Sequence, residues 1–149
     1  NVIIGRQNIE KYRSNFATVK TKNAVKESEK IISLFDVKTP NTSTLATALS
    51  GGNQQKFVVG RELEDDPGLL IASQPTRGID IGAQALIWDK LRESRDQGLA
   101  VLLISADLEE LIGLSDRIIV FYQGKLVKEL KSDSVSPEDL GGYMTGLKK

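Results

Sequence analysis

The sequence predicts an α/β domain: a mostly parallel sheet carrying packed helices, preceded by a helical subdomain. Three observations predict it. Short, mainly apolar runs at 69–72, 99–105 and 117–122 have the length and composition of buried strands. Between the first two, 82–97 places Ala83, Leu86, Ile87 and Leu91 on one face of a helix and Asp89, Arg92, Glu93 and Asp96 elsewhere. The first third is polar, and its apolar residues Val25, Ile31, Ile32, Leu34 and Phe35 recur at helical spacing. Strand, helix, strand, helix, strand at such intervals implies right-handed crossovers between parallel strands.

Each element has its own local cause. Residues 1–37 read as small helices, closed by the Pro-, Asn- and Thr-rich stretch 38–44, which favours a loop. Ser50 stands as an N-cap before Gly51 and Gly52 and a helix running to about Glu64, with Phe57, Val59 and Leu63 near one face. Asp65, Asp66, Pro67 and Gly68 end it, and the apolar run at 69–72 begins the sheet. Pro75 to Gly78 reads as a turn, and Gly98 closes the amphipathic helix. A short helix at 108–114 separates the second and third strands, Gln123-Gly124 reads as a two-residue hairpin turn into 125–130, and Pro137 occupies the first position of a last helix. The expected division is a helical subdomain at 1–64 and the α/β core at 65–149, with no internal repeat.

Composition narrows the chemistry. Among 149 residues, twenty basic and twenty acidic side chains cancel, so no broad positive field draws the chain onto nucleic acid or anionic lipid. The apolar runs are far shorter than the roughly twenty residues a spanning helix needs. There is no cysteine and no histidine. Disulfides, thiolate metal sites, imidazole bases and imidazole ligands are thereby excluded within this sequence. The basic cluster Lys20, Lys22, Lys26 and Lys30 is interleaved with acidic and aliphatic residues and reads as a solvated face; Trp88 reads as a packing residue.

The most specific text is LSGGNQQK at 49–56. A Ser and two glycines at a helix start leave backbone N–H groups uncovered where the helix dipole is positive, which suits an anion. The octapeptide resembles the signature of ATP-binding cassette (ABC) ATPases, with Asn53 where Gln is usual; the LSGGNQQK form resembles that of bacterial monosaccharide and nucleoside importers. The resemblance implies a partial P-loop NTPase fold. It also implies that Ser50, Gly51, Gly52 and Asn53 contact the γ-phosphate of ATP held by an opposing domain.

Two further blocks fall in the family's order. Leu69 to Asp80 matches the strand and Pro-Thr turn that follow the signature, with Asp80 in the D-loop place. Ser73, however, stands where an Asp helps hold Mg²⁺, and Gln74 where a Glu activates water. Residues 100–107 resemble the switch strand and loop, with Ala106 in place of the usual His. Gln accepts no proton, so a general-base contribution of roughly 10²- to 10⁴-fold is lost at that position. These departures imply a degenerate site with no competent catalytic residue and no metal ligand.

The pattern Gly, four residues, Gly-Lys-Ser/Thr does not occur in the 149 residues. The sequence, which begins in mid-pattern without Met, is expected to be a piece whose P-loop half lies upstream. ATP and Mg²⁺ are expected cofactors of the full-length protein, with none bound tightly to this piece, which alone should lack ATPase activity. Expected partners are the P-loop-bearing remainder of the same protein, its other ATPase domain and transmembrane permease subunits, at the cytoplasmic face of a bacterial inner membrane. Unsatisfied strand edges are expected to favour self-association or strand exchange. The combination with YMTG at 143–146 resembles the second nucleotide-binding domain of nucleoside importers of the basic-membrane-protein type, ahead of ribose or galactose importers, which usually keep the Asp-Glu pair. A DNA-handling ABC ATPase fits less well, lacking zinc-binding cysteines, a heptad coiled coil and net positive charge; a purely structural module is the remaining alternative.

Overall fold

In the computed structural model, which describes residues 1–13 and 18–148, the first long element is α1 (Thr21–Leu34). Its end is set by Asp36, whose φ of 47° turns the backbone left-handed. The Val37 amide then donates back to the Ile32 carbonyl at 3.0 Å, a Schellman closure with Asp in the place glycine usually takes. Residues 1–13 form successive turns where small helices are expected; the expectation for 14–17 lies outside the described residues. Those turns are held by Arg6, which donates to the Arg61 carbonyl at 2.6 Å and pairs with Asp65 at 3.1 Å.

A short 3-10 turn at Ala46–Ala48 leads into α2 (Gly51–Leu63). Its buried positions are Gly52, Val59 and Gly60, where Phe57, Val59 and Leu63 are expected. Gly60 is the contact point with α1. A Cβ there would stand 2.7 Å from the Phe35 ring and 2.8 Å from Ile31, so only glycine lets the two helices meet this closely.

The chain divides into two compact units, each described by itself. One comprises Asn1–Gly68 and Thr76–Asp89, the other Leu69–Pro75 and the residues from Lys90 onward. In the first unit, Glu27 on α1 is buried and pairs with Lys11 at 2.7 Å, while Lys30 pairs with Glu64 at the end of α2.

In the second unit, β1 (Leu69–Ser73) pairs in parallel with β2 (Ala100–Ile104), Leu69 opposite Ala100 and Ser73 opposite Ile104. Helix α3 (Ile81–Asp96) connects them and α4 (Leu108–Leu114) follows, so the expected βαβ order is present. Strand β3 (Arg117–Tyr122) pairs antiparallel with β4 (Lys125–Lys131) through a turn in which Gln123 and Gly124 both have positive φ, 49° and 75°, the geometry of a two-residue hairpin. Helix α5 (Pro137–Met144) closes the element order, capped by Ser136. Leu111, Ile118, Val120 and Leu140 form the buried centre of this unit, from α4, β3 and α5. At about 1.5–3 kcal/mol for each such side chain removed from water, this cluster is the main support of the hairpin.

The α/β class is therefore as expected, but the sheet lies in two pieces: among the described residues β2 and β3 are not hydrogen-bonded neighbours. Their facing sides line a cleft of about 770 Å³ together with Leu91, Leu111 and Leu140. The strands expected to be fully buried are covered on one face only. Ile71 is 61% exposed and Leu102 51%, because the pleat alternates and the next residue of each strand, Ala72 and Leu103, takes the covered side.

Candidate functional site

The signature corner lies at the start of α2. Ser50 has extended backbone and caps the helix, its Oγ accepting from the Asn53 amide at 3.4 Å. Among the described residues no acceptor stands at the amides of Gly51 and Gly52, as the opening turn of a helix dictates. Ser50 and Gly51 are exposed. The corner thus presents a hydroxyl and backbone donors at the positive end of the helix dipole, a combination that fits a phosphate.

The two glycines do different work. At Gly51 an added Cβ would meet only the Gly78 carbonyl at 3.9 Å, an ordinary contact. At Gly52 it would stand 2.9 Å from the Asp80 carboxylate and 3.0 Å from Ala83. Gly52 is therefore needed for the close approach of α2 to the start of α3, both within the first unit. Asp80 in turn caps α3: its Oδ1 accepts from the Ala83 amide at 2.9 Å, and its carbonyl accepts from Gln84. The helix begins one residue earlier than the expected Gly82 because Asp80, not Ile81, is the capping residue.

Asn53 is anchored on both ends of its amide. Its Oδ1 accepts from the Lys38 backbone amide at 2.8 Å and its Nδ2 donates to Ser50 Oγ at 2.9 Å. Nearby, Gln54 Nε2 donates to the Leu49 carbonyl at 2.9 Å and Lys56 Nζ to the Asp36 carbonyl at 3.3 Å. The Asn-Gln-Gln-Lys half of the motif thus ties the start of α2 to the end of α1. Sequence reasoning did not find these bonds; the available signal was the placement of Ser at the N-cap with an amide side chain three residues on, the spacing of a capping box.

The second group sits at the carboxyl ends of β1 and β2. Ser73 ends β1 and is exposed. Gln74 follows with φ of 50°, and its amide donates to the Ile104 carbonyl at 2.8 Å, which fixes the chain as it leaves the strand. A left-handed conformation at a residue other than glycine carries strain of about 1–3 kcal/mol. Ala106 is exposed in the turn after β2, between Ser105, whose Oγ accepts from the Asp107 amide at 3.0 Å, and Asp107, which caps α4 by accepting from Glu109 and Glu110. Hydroxyl, carboxamide and methyl are all uncharged. None of the three supplies a carboxylate of the kind that holds Mg²⁺.

No family model matches the chain. Relatives do: it is 48% identical over 121 residues to a guanosine import ATP-binding protein of Bacillus subtilis, covering 81% of this chain and 24% of that protein. It is 39% identical over 140 residues to a ribose import ATP-binding protein of Clostridium perfringens, covering 94% and 28%. Against a glucose import ATP-binding protein of Haloferax volcanii it is 46% identical over 121 residues, covering 80% and 22%. The chain thus spans about a quarter of the length of the curated relatives it matches. Among solved structures, it superposes on a nucleotide-free ATP-binding cassette of an ABC transporter with a TM-score of 0.69 at 21% identity, covering 97% of this chain and 57% of that one. The cassette MJ0796, in a dimeric post-hydrolysis state bound to ADP and Pi, gives 0.69 at 21% identity, with 89% and 56% covered. With these matches beside the motif order, the chain is a homologue of ABC import ATP-binding proteins and carries part of the ABC ATPase cassette fold.

Proposed function

We propose that this chain supplies the signature half of an ATPase site in an ABC importer, with nucleosides as the transported class. Ser50, Gly51 and Gly52, with Asn53 behind Ser50, form the corner that faces the γ-phosphate of an ATP whose remaining phosphates are gripped by a P-loop on another segment. The observation that carries this is the start of α2, where an exposed hydroxyl and two amides without acceptors stand at a helix start braced by Asp80 and Lys38. Ser73, Gln74 and Ala106 belong to a second ATP site that turns over poorly, because none of the three can accept a proton or bring a negative charge to Mg²⁺. Asp80, in the D-loop place, serves mainly to hold the signature helix against α3.

The cleft between β2 and β3 supports the need for a P-loop-bearing partner segment. Two strands that line one apolar cleft without hydrogen-bonding to each other suit an inserted strand, and the same uncovered edges suit pairing with a second copy when that strand is missing. On this reading permease subunits carry the transport path, with the ATPase docked at the cytoplasmic face; among the described residues no helix is long and apolar enough to cross a membrane. Ser73-Gln74 and the 48% identity to a guanosine importer favour nucleosides over ribose as the transported class.

The test mixes this chain with its P-loop-bearing partner half and a photoreactive ATP analogue. Crosslinking to residues 50–53 that needs both halves is the expected result, together with no sustained ATP turnover by the chain alone. Crosslinking that spares this stretch, or turnover by the isolated chain, overturns the assignment.

A further inference from the structure

On the reading that Ser50 faces a triphosphate, we propose that Asn53 is a positioning residue: it turns the Ser50 hydroxyl hydrogen outward and couples that orientation to the loop after α1. The orientation of its amide is fixed by chemistry. The Lys38 backbone N–H can only donate, so the group 2.8 Å away must be the Asn53 oxygen, and the group facing Ser50 Oγ at 2.9 Å must be the NH₂. Ser50 Oγ therefore accepts from Asn53 Nδ2, and it also accepts a longer bond from the Asn53 backbone amide at 3.4 Å. A hydroxyl has two acceptor lone pairs and one donor. With both acceptor positions used, the hydrogen is left for a ligand, and an anion is the ligand that wants it.

The other end of the clamp is on the loop. Lys38 follows the Schellman closure at Asp36 and Val37, and Lys56 Nζ reaches the Asp36 carbonyl at 3.3 Å. The same amide thus senses where the loop lies. If Lys38 moves away, Oδ1 is released, the carboxamide can rotate, and Ser50 is no longer held as an acceptor.

Two readouts test this. In the chain by itself, hydrogen exchange at the Lys38 amide is expected to be slowed, and Asn53→Leu, uncharged and nearly isosteric, is expected to remove that protection while Ser50→Ala leaves it. In the mixture with the P-loop-bearing half, the half-saturating concentration of 8-azido-ATP is expected to rise about tenfold in Ser50→Ala and about fivefold in Asn53→Leu, the loss of one charged and one neutral hydrogen bond respectively. Because Asn53 acts through Ser50, the double variant is expected to stay at about tenfold, where independent residues would give about fiftyfold. An unprotected Lys38 amide, or multiplying effects, overturns the positioning role while leaving the signature assignment standing. A Ser50→Ala variant with unchanged analogue binding overturns both.

Discussion

The start of α2 and the carboxyl ends of β1 and β2 are both places where loops meet the ends of regular elements, yet they are finished differently. At α2, polar groups not needed elsewhere are tied up: Asn53 to Lys38 and Ser50, Asp80 to the start of α3, Gln54 to Leu49. What stays free is a set of donors. At β1 and β2 the backbone is equally well fixed, with Gln74 held to Ile104 and Asp107 capping α4, but the side chains offered are uncharged. The difference teaches that two equally well fixed loop ends of one fold can offer different chemistry, backbone donors and a hydroxyl at one and uncharged side chains at the other.

The largest expected effect comes from restoring what the second corner lacks. On the proposed assignment, Ser73→Asp with Gln74→Glu in the assembled parent protein is expected to raise ATP turnover at that second site by roughly 10²-fold, the lower end of a general base's contribution, since Ala106 remains. Gln and Glu are isosteric, so the left-handed backbone at position 74 is no more strained afterwards. An unchanged rate would mean that more than the missing carboxylates separates the two corners.

Next in size is a contrast inside the signature. Gly52→Ala places a methyl 2.9–3.0 Å from the Asp80 carboxylate and Ala83, and is expected to destabilise the chain by about 1–3 kcal/mol. Gly51→Ala meets only ordinary contact and is expected to be neutral or slightly stabilising, as alanine is the better helix former. Urea midpoints of the two variants measure this directly, and equal midpoints would remove the packing role of Gly52.

That contrast also shows what was legible beforehand. Ser50 as a cap, Gln123-Gly124 as a hairpin turn and Pro137 at a helix start were readable because each rests on a local backbone rule. The neutral trio Ser73, Gln74 and Ala106 was readable from residue identity alone. Gly52 and Gly60 were not, because the need for glycine there arises from Asp80, Ala83, Phe35 and Ile31, which sequence spacing does not bring near. Turns rather than helices form at 1–13 for a related reason: Arg6 is held by Arg61 and Asp65, far along the chain, and tertiary bonds override weak local preference. Likewise, apolar composition marked the strands but did not reveal that one face of β1 and β2 lies open.

The smallest expected effect sets the ion pairs of the two units against each other. Burial pushes the Glu27 carboxyl up, but its hydrogen bonds with Lys11 and Glu64 and the charges of Lys11 and Lys30 outweigh that and hold it below the usual glutamate range. A carboxyl lowered in the folded state contributes stability that is complete above its unfolded pKa and is lost as pH falls through the folded value. The stability gap between the wild-type chain and Glu27→Gln is therefore expected to be constant from pH 7 to about pH 5 and to close below about pH 4. In the second unit Asp139 is also lowered, chiefly by its hydrogen bond from Lys148, but the pair is exposed and screened by water. Asp139→Asn is expected to leave urea midpoints unchanged at every pH. A gap for Glu27→Gln that persists undiminished at pH 3 would show that shape rather than charge holds α1 against α2.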